Sequence, residues 1–236
     1  MAHDHAETRQ RAAEVQSGAA RAAVLGMSDG LVTNVSLILG VAGAQVAAGT
    51  VRIAGVASLV AGACSMAVGE YVSMRAQVEL LERLLVDERA ELMRNPDGVR
   101  RELQEFIEKA GVSAKTAREA SRQLARDPDH AVATYARSLG LDPNQLGSPW
   151  AAAFTSLVTF AAGALIPLVP WFFLEGMRAS LWALGLAAAA ALGIGGALGQ
   201  LGARRPVRAA LRQLAILAVA AGITWLVGRL WHVQAG

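Results

Sequence analysis

The chain has 236 residues, 54% hydrophobic and 17% charged, with a formal net charge of +3 and a single cysteine, Cys64. That balance is too apolar for an ordinary soluble domain and too charged for a protein lying wholly inside a bilayer, so a membrane part and a polar part are expected. One cysteine excludes a disulfide framework or a Cys-type zinc site within one chain.

The N-terminal stretch "MAHDHAETRQRAAEVQSGAARAAV" contains acids and no apolar signal-peptide core before Val24. No cleaved leader is therefore expected, and the first span is expected to serve as the insertion signal. Crossing about 30 Å of hydrocarbon takes roughly 20 predominantly apolar residues. Five stretches qualify, at about 29–48, 52–74, 150–173, 179–202 and 208–230.

The first span opens with "GMSDGLVTNVSLILGVAGA", which places Asp29 at its mouth. A carboxylate at depth costs about 2–4 kcal/mol and normally faces a water-filled path or a partner. Asp29 could instead cap the helix, accepting from the Val32 N–H. The segment "AAGTVR", with Gly49 and Arg52, reads as the turn into the second span. There Met66 lies one turn before Glu70, so a thioether and a carboxylate share a helical face. Asp29 enters from the side toward which Glu70 leaves, so the two can be close, and Thr33, Asn34 and Ser36 add oxygen donors. Carboxylate with thioether favours iron(II) or manganese(II) over calcium or magnesium. A methionine in a span can equally be packing alone.

From Tyr71 no Gly or Pro occurs until Pro96, so the second span is expected to run on as one long helix through "EYVSMRAQVELLERLLVDERAELMR". Three shorter helices follow, started by Asn95-Pro96, Ser113 and Asp127-Pro128, with stops at Gly111 and Gly140. Glu79 stands four before Arg83 and Glu105 four before Lys109, as in helical ion pairs. Other carboxylates lack a basic helical neighbour: Glu88 sees Leu84, Leu85, Glu91 and Leu92, Asp87 opposes Glu91, and Glu102 sees Glu105. These acids form either a solvated face or a site for a hard divalent cation, which would relieve their repulsion.

The third span contains Pro167 and Pro170, which must bend or end the helix. In the fourth, Gly195 and Gly199 have the GxxxG spacing that permits close helix approach, and Pro206 starts the fifth after "GARR". Among the 22 Lys and Arg, only Arg52, Arg178 and Arg229 fall on one side of this arrangement. The positive-inside rule then makes the N-terminus and the polar segment cytoplasmic and puts "WHVQAG" on the far side. It also accounts for the basic balance without nucleic acid. No P-loop, HExxH or Ser/His pair lies in the spans, and His3, His5, His130 and His232 are peripheral, so neither an enzyme nor a prosthetic group is expected.

Three of these segments together resemble the vacuolar iron transporter (VIT) family: "GMSDGLVTNVSLILGVAGA" in the first span, "SMAVGEYVSM" in the second, and "LGLDPNQLGSPWAAAFTSLVTFAAGALIPLVP" at the entry to the third. The resemblance covers almost the whole chain. It implies an all-α integral membrane protein with five transmembrane helices and a cytoplasmic helical metal-binding domain between spans two and three. The corresponding segments are 1–74, 75–149 and 150–236. It further implies a homodimer exporting Fe²⁺ and often Mn²⁺ from the cytoplasm by proton antiport. Its membrane ligands fall on Asp29, Met66 and Glu70, and its cytoplasmic ligands, in ExxE pairs, on Glu88 with Glu91 and Glu102 with Glu105. Glu79 and Glu82 share that spacing on another side of the helix and are a second choice. A later helix of the family commonly supplies a Met and a Glu, where this chain has Thr134, Tyr135 and Ser138. A membrane-anchored divalent-metal sensor or scaffold, without transport, is the alternative.

Overall fold

The computed structural model describes residues 18–138, 148–201 and 205–235, all of whose regular structure is helical. Chain contacts divide it into two compact units, Met1–Val72 with Ser148–Gly236, and Ser73–Gly147. The helices are α1 (Gly18–Gly43), α2 (Ala48–Arg94), α3 (Pro96–Lys109), α4 (Ala114–Leu124), α5 (Pro128–Ser138), α6 (Pro149–Leu168), α7 (Pro170–Phe173), α8 (Gly176–Leu201) and α9 (Pro206–Ala235). Five of them, α1, α2, α6, α8 and α9, are long and apolar enough to cross a membrane.

Within the first unit, side-chain contacts fix the direction of each span. Residues of α1 meet α6 at a constant offset: Gly26 lies against Ser156, Gly30 against Phe160, and Asn34 against Ala164, so the two run parallel. Gly40 and Gly43 of α1 meet Thr224 and Trp225 of α9, again parallel. By contrast Gly55, Gly62 and Tyr71 of α2 meet Leu168, Phe160 and Trp150 of α6 in reverse order, so α2 is antiparallel. The spans therefore alternate, as successive membrane crossings must.

Small residues set how closely they pack. On α8 an unbroken row at i,i+4 spacing is buried: Ala179, Ala183, Ala187, Ala191, Gly195 and Gly199. Its alanines pack with Ile38, Val51 and Leu168 at one end and with Leu31, Val35, Leu217 and Ala221 farther along. The Gly195/Gly199 pair is filled from within the chain, by the first turns of α9. A Cβ on Gly195 would stand 2.7 Å from Ala210 Cα.

Three expectations need correction. First, α1 begins well before Asp29, because the Ala, Leu and Arg residues between positions 19 and 25 are good helix formers. Asp29 is thus inside the helix and is not its N-cap. Second, the turn between α1 and α2 is residues 44–47, with Gln45 in the left-handed region at φ 56°, while Gly49 and Arg52 are already helical. Third, Glu79 pairs with Arg75 Nε at 2.8 Å, and not with Arg83. Among the described residues Glu105 and Lys109 form no ion pair. The third span ends as Pro167 and Pro170 require: α6 stops at Leu168 and the single turn of α7 follows.

The second unit carries the polar half of α2, which continues unbroken to Arg94. Asn95 caps α3 by accepting from Gly98 N at 3.0 Å, and Ser113 caps α4 by accepting from Thr116 N. Gly111, at φ 94°, turns the chain after α3, and Gly140 lies outside the described residues. These helices close on one cluster in which Val99, Leu103, Ala131 and Val132 are buried beside Leu85 and Leu124. Leu103→Ala should cost about 2–5 kcal/mol, seen as an earlier urea transition of the full-length protein in detergent.

Asp127 starts α5. It accepts from the backbone N–H of Asp129 at 3.0 Å and of His130 at 3.3 Å, and its Oδ2 lies 2.7 Å from His130 Nδ1. The His130 side chain first, then these amides, hold its carboxyl below the usual carboxylate range. The helix start therefore gains stability above the ordinary carboxylate pKa and loses it as pH falls through the lowered one. Acid titration of the full-length protein should show this loss of helical signal below about pH 4, and Asp127→Asn should remove it.

Candidate functional site

Helix α1 is polar on two faces. Inward, Asn34 is fully buried and its Nδ2 donates to Ala164 O at 2.6 Å, tying α1 to α6. Gln213 of α9, also buried, donates through Nε2 to Ser28 Oγ, tying α1 to the last span. Asn34 Oδ1, Ser36 Oγ and Ser156 Oγ are buried and have no hydrogen-bond partner among the described residues. Outward, Asp29 and Thr33 are exposed one turn apart, and Thr33 Oγ1 donates to Asp29 Oδ1 at 3.2 Å. The hydroxyl orients the carboxylate and leaves Oδ2 without a partner among the described residues.

Met66 and Glu70 come from α2 and are both half-buried. Met66 packs on the cluster of Ala63, Phe160 and Ala164. Phe160 also sets the level of Asp29, because its carbonyl meets Gly30 while its ring meets Gly62. Taking the registers of α1 and α2 against α6 with a rise of about 1.5 Å per residue, Met66 is displaced from Asp29 by about one turn and Glu70 by about two. Both lie toward the end of the unit marked by the Tyr71–Trp150 ring contact, where centroids are 4.7 Å apart. Counted inward from that end, the order along the span axis is thus Glu70, Met66 and Asp29.

Among the described residues no three His, Cys, Asp or Glu side chains are grouped as a metal site. In the second unit, Glu91 reaches Arg94 at 3.9 Å, while Glu102 and Glu105 are exposed one turn apart on α3. Glu88 is on α2, with its side chain outside the described residues. Glu79 faces Arg75, and Glu82 is exposed. Thr134 is half-buried on α5, and the side chains of Tyr135 and Ser138 lie outside the described residues, as do His3, His5 and His232.

Two polar links have no counterpart in the sequence reading. Arg52 pairs with Glu175 at 3.1 Å, joining the start of α2 to the connection before α8. The Gln213–Ser28 bond spans 185 positions. A lone glutamine in an apolar span was the available signal, since an amide in hydrocarbon needs a partner.

Five crossing helices, small-residue packing and ionisable groups within the spans define a multi-pass helical membrane protein with a polar face on its first span. The model of the VIT family matches residues 20–229, and the chain belongs to that family. It is 29% identical to Vacuolar iron transporter 1 of Eucalyptus grandis over 218 residues, covering 92% of this chain and 86% of the relative. It is 35% identical to Vacuolar iron transporter homolog 2 of Oryza sativa subsp. japonica, covering 89% of each. Its identity to the Vacuolar iron transporter of Acanthamoeba castellanii is 39% over 154 residues, 65% of this chain and 55% of the relative.

Proposed function

We propose that this protein exports Fe²⁺, Mn²⁺ or both from the cytoplasm in exchange for protons. Its metal-transporter role is supported by family membership and by relatives named as iron transporters. The observation that carries the site is Asp29: a carboxylate inside a spanning helix, on its outward face, must be supplied with water, a cation or a partner. Glu70, Met66 and Asp29 offer ligands in succession along one route. Carboxylates that alternate between metal-bound and protonated states couple the two flows without hydrolysis.

Among the described residues Asp29 belongs to no group of three or more His, Cys, Asp or Glu. A homodimer placing two α1 outward faces together would double the carboxylates and enclose the path. In the other unit, Glu88, Glu91, Glu102 and Glu105 would collect the ion on the cytoplasmic side, with the C-terminus opposite. The soft ligand gives the sharpest test of cargo. In proteoliposomes, Met66→Ala should reduce Fe²⁺ and Mn²⁺ flux by about tenfold, one lost ligand of about 1.4 kcal/mol. Unchanged flux would remove Met66 from the path. Metal binding with no flux in the parent protein would mark a membrane-anchored sensor instead.

A further inference from the structure

At the end of the first unit where α1 finishes, the spans separate around a cavity of about 720 Å³ bounded by α1, α8 and α9. It is remote from Asp29, and neither Met66 nor Glu70 lines it. Its floor is flat because Ala221 and Gly222 of α9 carry almost no side chain, and a Cβ added at Gly222 would meet nothing within 4 Å. Leu39 of α1 and Leu184 of α8 form apolar walls. Trp171 and Trp225 also line it, and Arg229 lies one turn beyond Trp225 with its guanidinium 5.2 Å from that ring's centre. No carboxylate pairs with Arg229 among the described residues, and the indole N–H of Trp171 has no acceptor there.

Walls that are mostly apolar and formed by membrane-spanning helices favour a lipid over a water-soluble metabolite as the occupant. Tryptophan and arginine together at one end of such helices mark headgroup depth. A guanidinium with no carboxylate partner among the described residues calls for the negative charge of a phosphate group at that depth, and the volume is that of a ligand site, about 300–1,000 Å³. We infer that the cavity between α1, α8 and α9 is a site for one anionic phospholipid, whose acyl chain lies along Ala221 and Gly222 and whose phosphate is held by Arg229. The bound lipid would brace α1, α8 and α9 around the cavity they share. The inference needs the spanning helices but not metal transport, so loss of flux leaves it standing.

The test is native mass spectrometry of the full-length protein in detergent, with added phosphatidylglycerol or phosphatidylcholine. The parent should retain one phosphatidylglycerol about fivefold better than phosphatidylcholine, the worth of one cation near an anionic headgroup. Arg229→Ala should abolish that preference and Arg229→Lys should keep it. Gly222→Leu should lower retention of both lipids by filling the floor, and if it fails to fold the Arg229 pair decides alone. Equal retention of the two lipids by the parent overturns the inference. So does displacement of the lipid by millimolar inorganic phosphate, which would mark a plain anion site. A dimer that dissociates on Arg229→Ala or Gly222→Leu, with no bound lipid in either state, would show that a second copy fills the cavity.

Discussion

Asp29→Asn is expected to reduce metal flux at least about tenfold, the equivalent of 1.4 kcal/mol or more of lost ligation, while leaving the fold intact. The amide nearly matches the carboxylate in shape and can still accept from Thr33 Oγ1, which holds Oδ1 at 3.2 Å. It can neither neutralise a divalent ion nor exchange a proton. Because Asp29 is exposed inside the helix and caps nothing, its replacement by Asn removes no structural bond seen among the described residues. Flux in proteoliposomes, normalised to protein that elutes as the parent does, checks this. Full flux would show that Asp29 is only tolerated in the span.

Gly163→Leu should prevent the native spans from assembling. A Cβ at this position falls on the Met27 carbonyl and 3.0 Å from Leu31 N, so the obstacle is backbone and cannot rotate away. Gly30 faces the Phe160 carbonyl in the same way, so α1 and α6 touch main chain to main chain over two turns. Overpacking a core costs about 1–3 kcal/mol where side chains can yield, and more where they cannot. The thermal midpoint in detergent should fall sharply, or the protein should fail to accumulate as a monodisperse species. Gly193→Ala is the control: its Cβ meets nothing within 4 Å, and replacing a helical glycine gains up to about 1 kcal/mol.

The five spans and the long second helix follow from hydropathy and the absence of Gly or Pro between Tyr71 and Pro96, and the structure has them. The caps Asn95, Ser113 and Asp127 were equally legible, since each places an oxygen acceptor before a helical stretch. Boundaries near the first span were not. Gly49 resembled a turn residue, yet the turn belongs to Gln45, a residue that adopts positive φ only at a steric cost. Arg21, Ser28 and Asp29 interrupted the apolar run and hid the earlier helix start. Glu79 had arginines four residues to either side, and local spacing alone could not choose Arg75 over Arg83.

The candidate site is legible in the sequence as residue types, and its geometry is not. Asp29, Met66 and Glu70 stand out because ionisable and soft groups are uncommon in spans, but their order along the span axis depends on how α1 and α2 register against Phe160 of α6. Asn34–Ala164, Ser28–Gln213 and Arg52–Glu175 join residues more than 100 positions apart, which no periodicity encodes.

The central claim is that metal and protons move in opposite directions through the same protein. Its most direct test loads proteoliposomes with a pH-sensitive dye and adds Fe²⁺ or Mn²⁺ outside at a set pH gradient. Metal entry should be matched by proton exit, should slow when the gradient is collapsed, and should vanish for Asp29→Asn. Metal entry at an undiminished rate with no change in luminal pH would contradict the exchange.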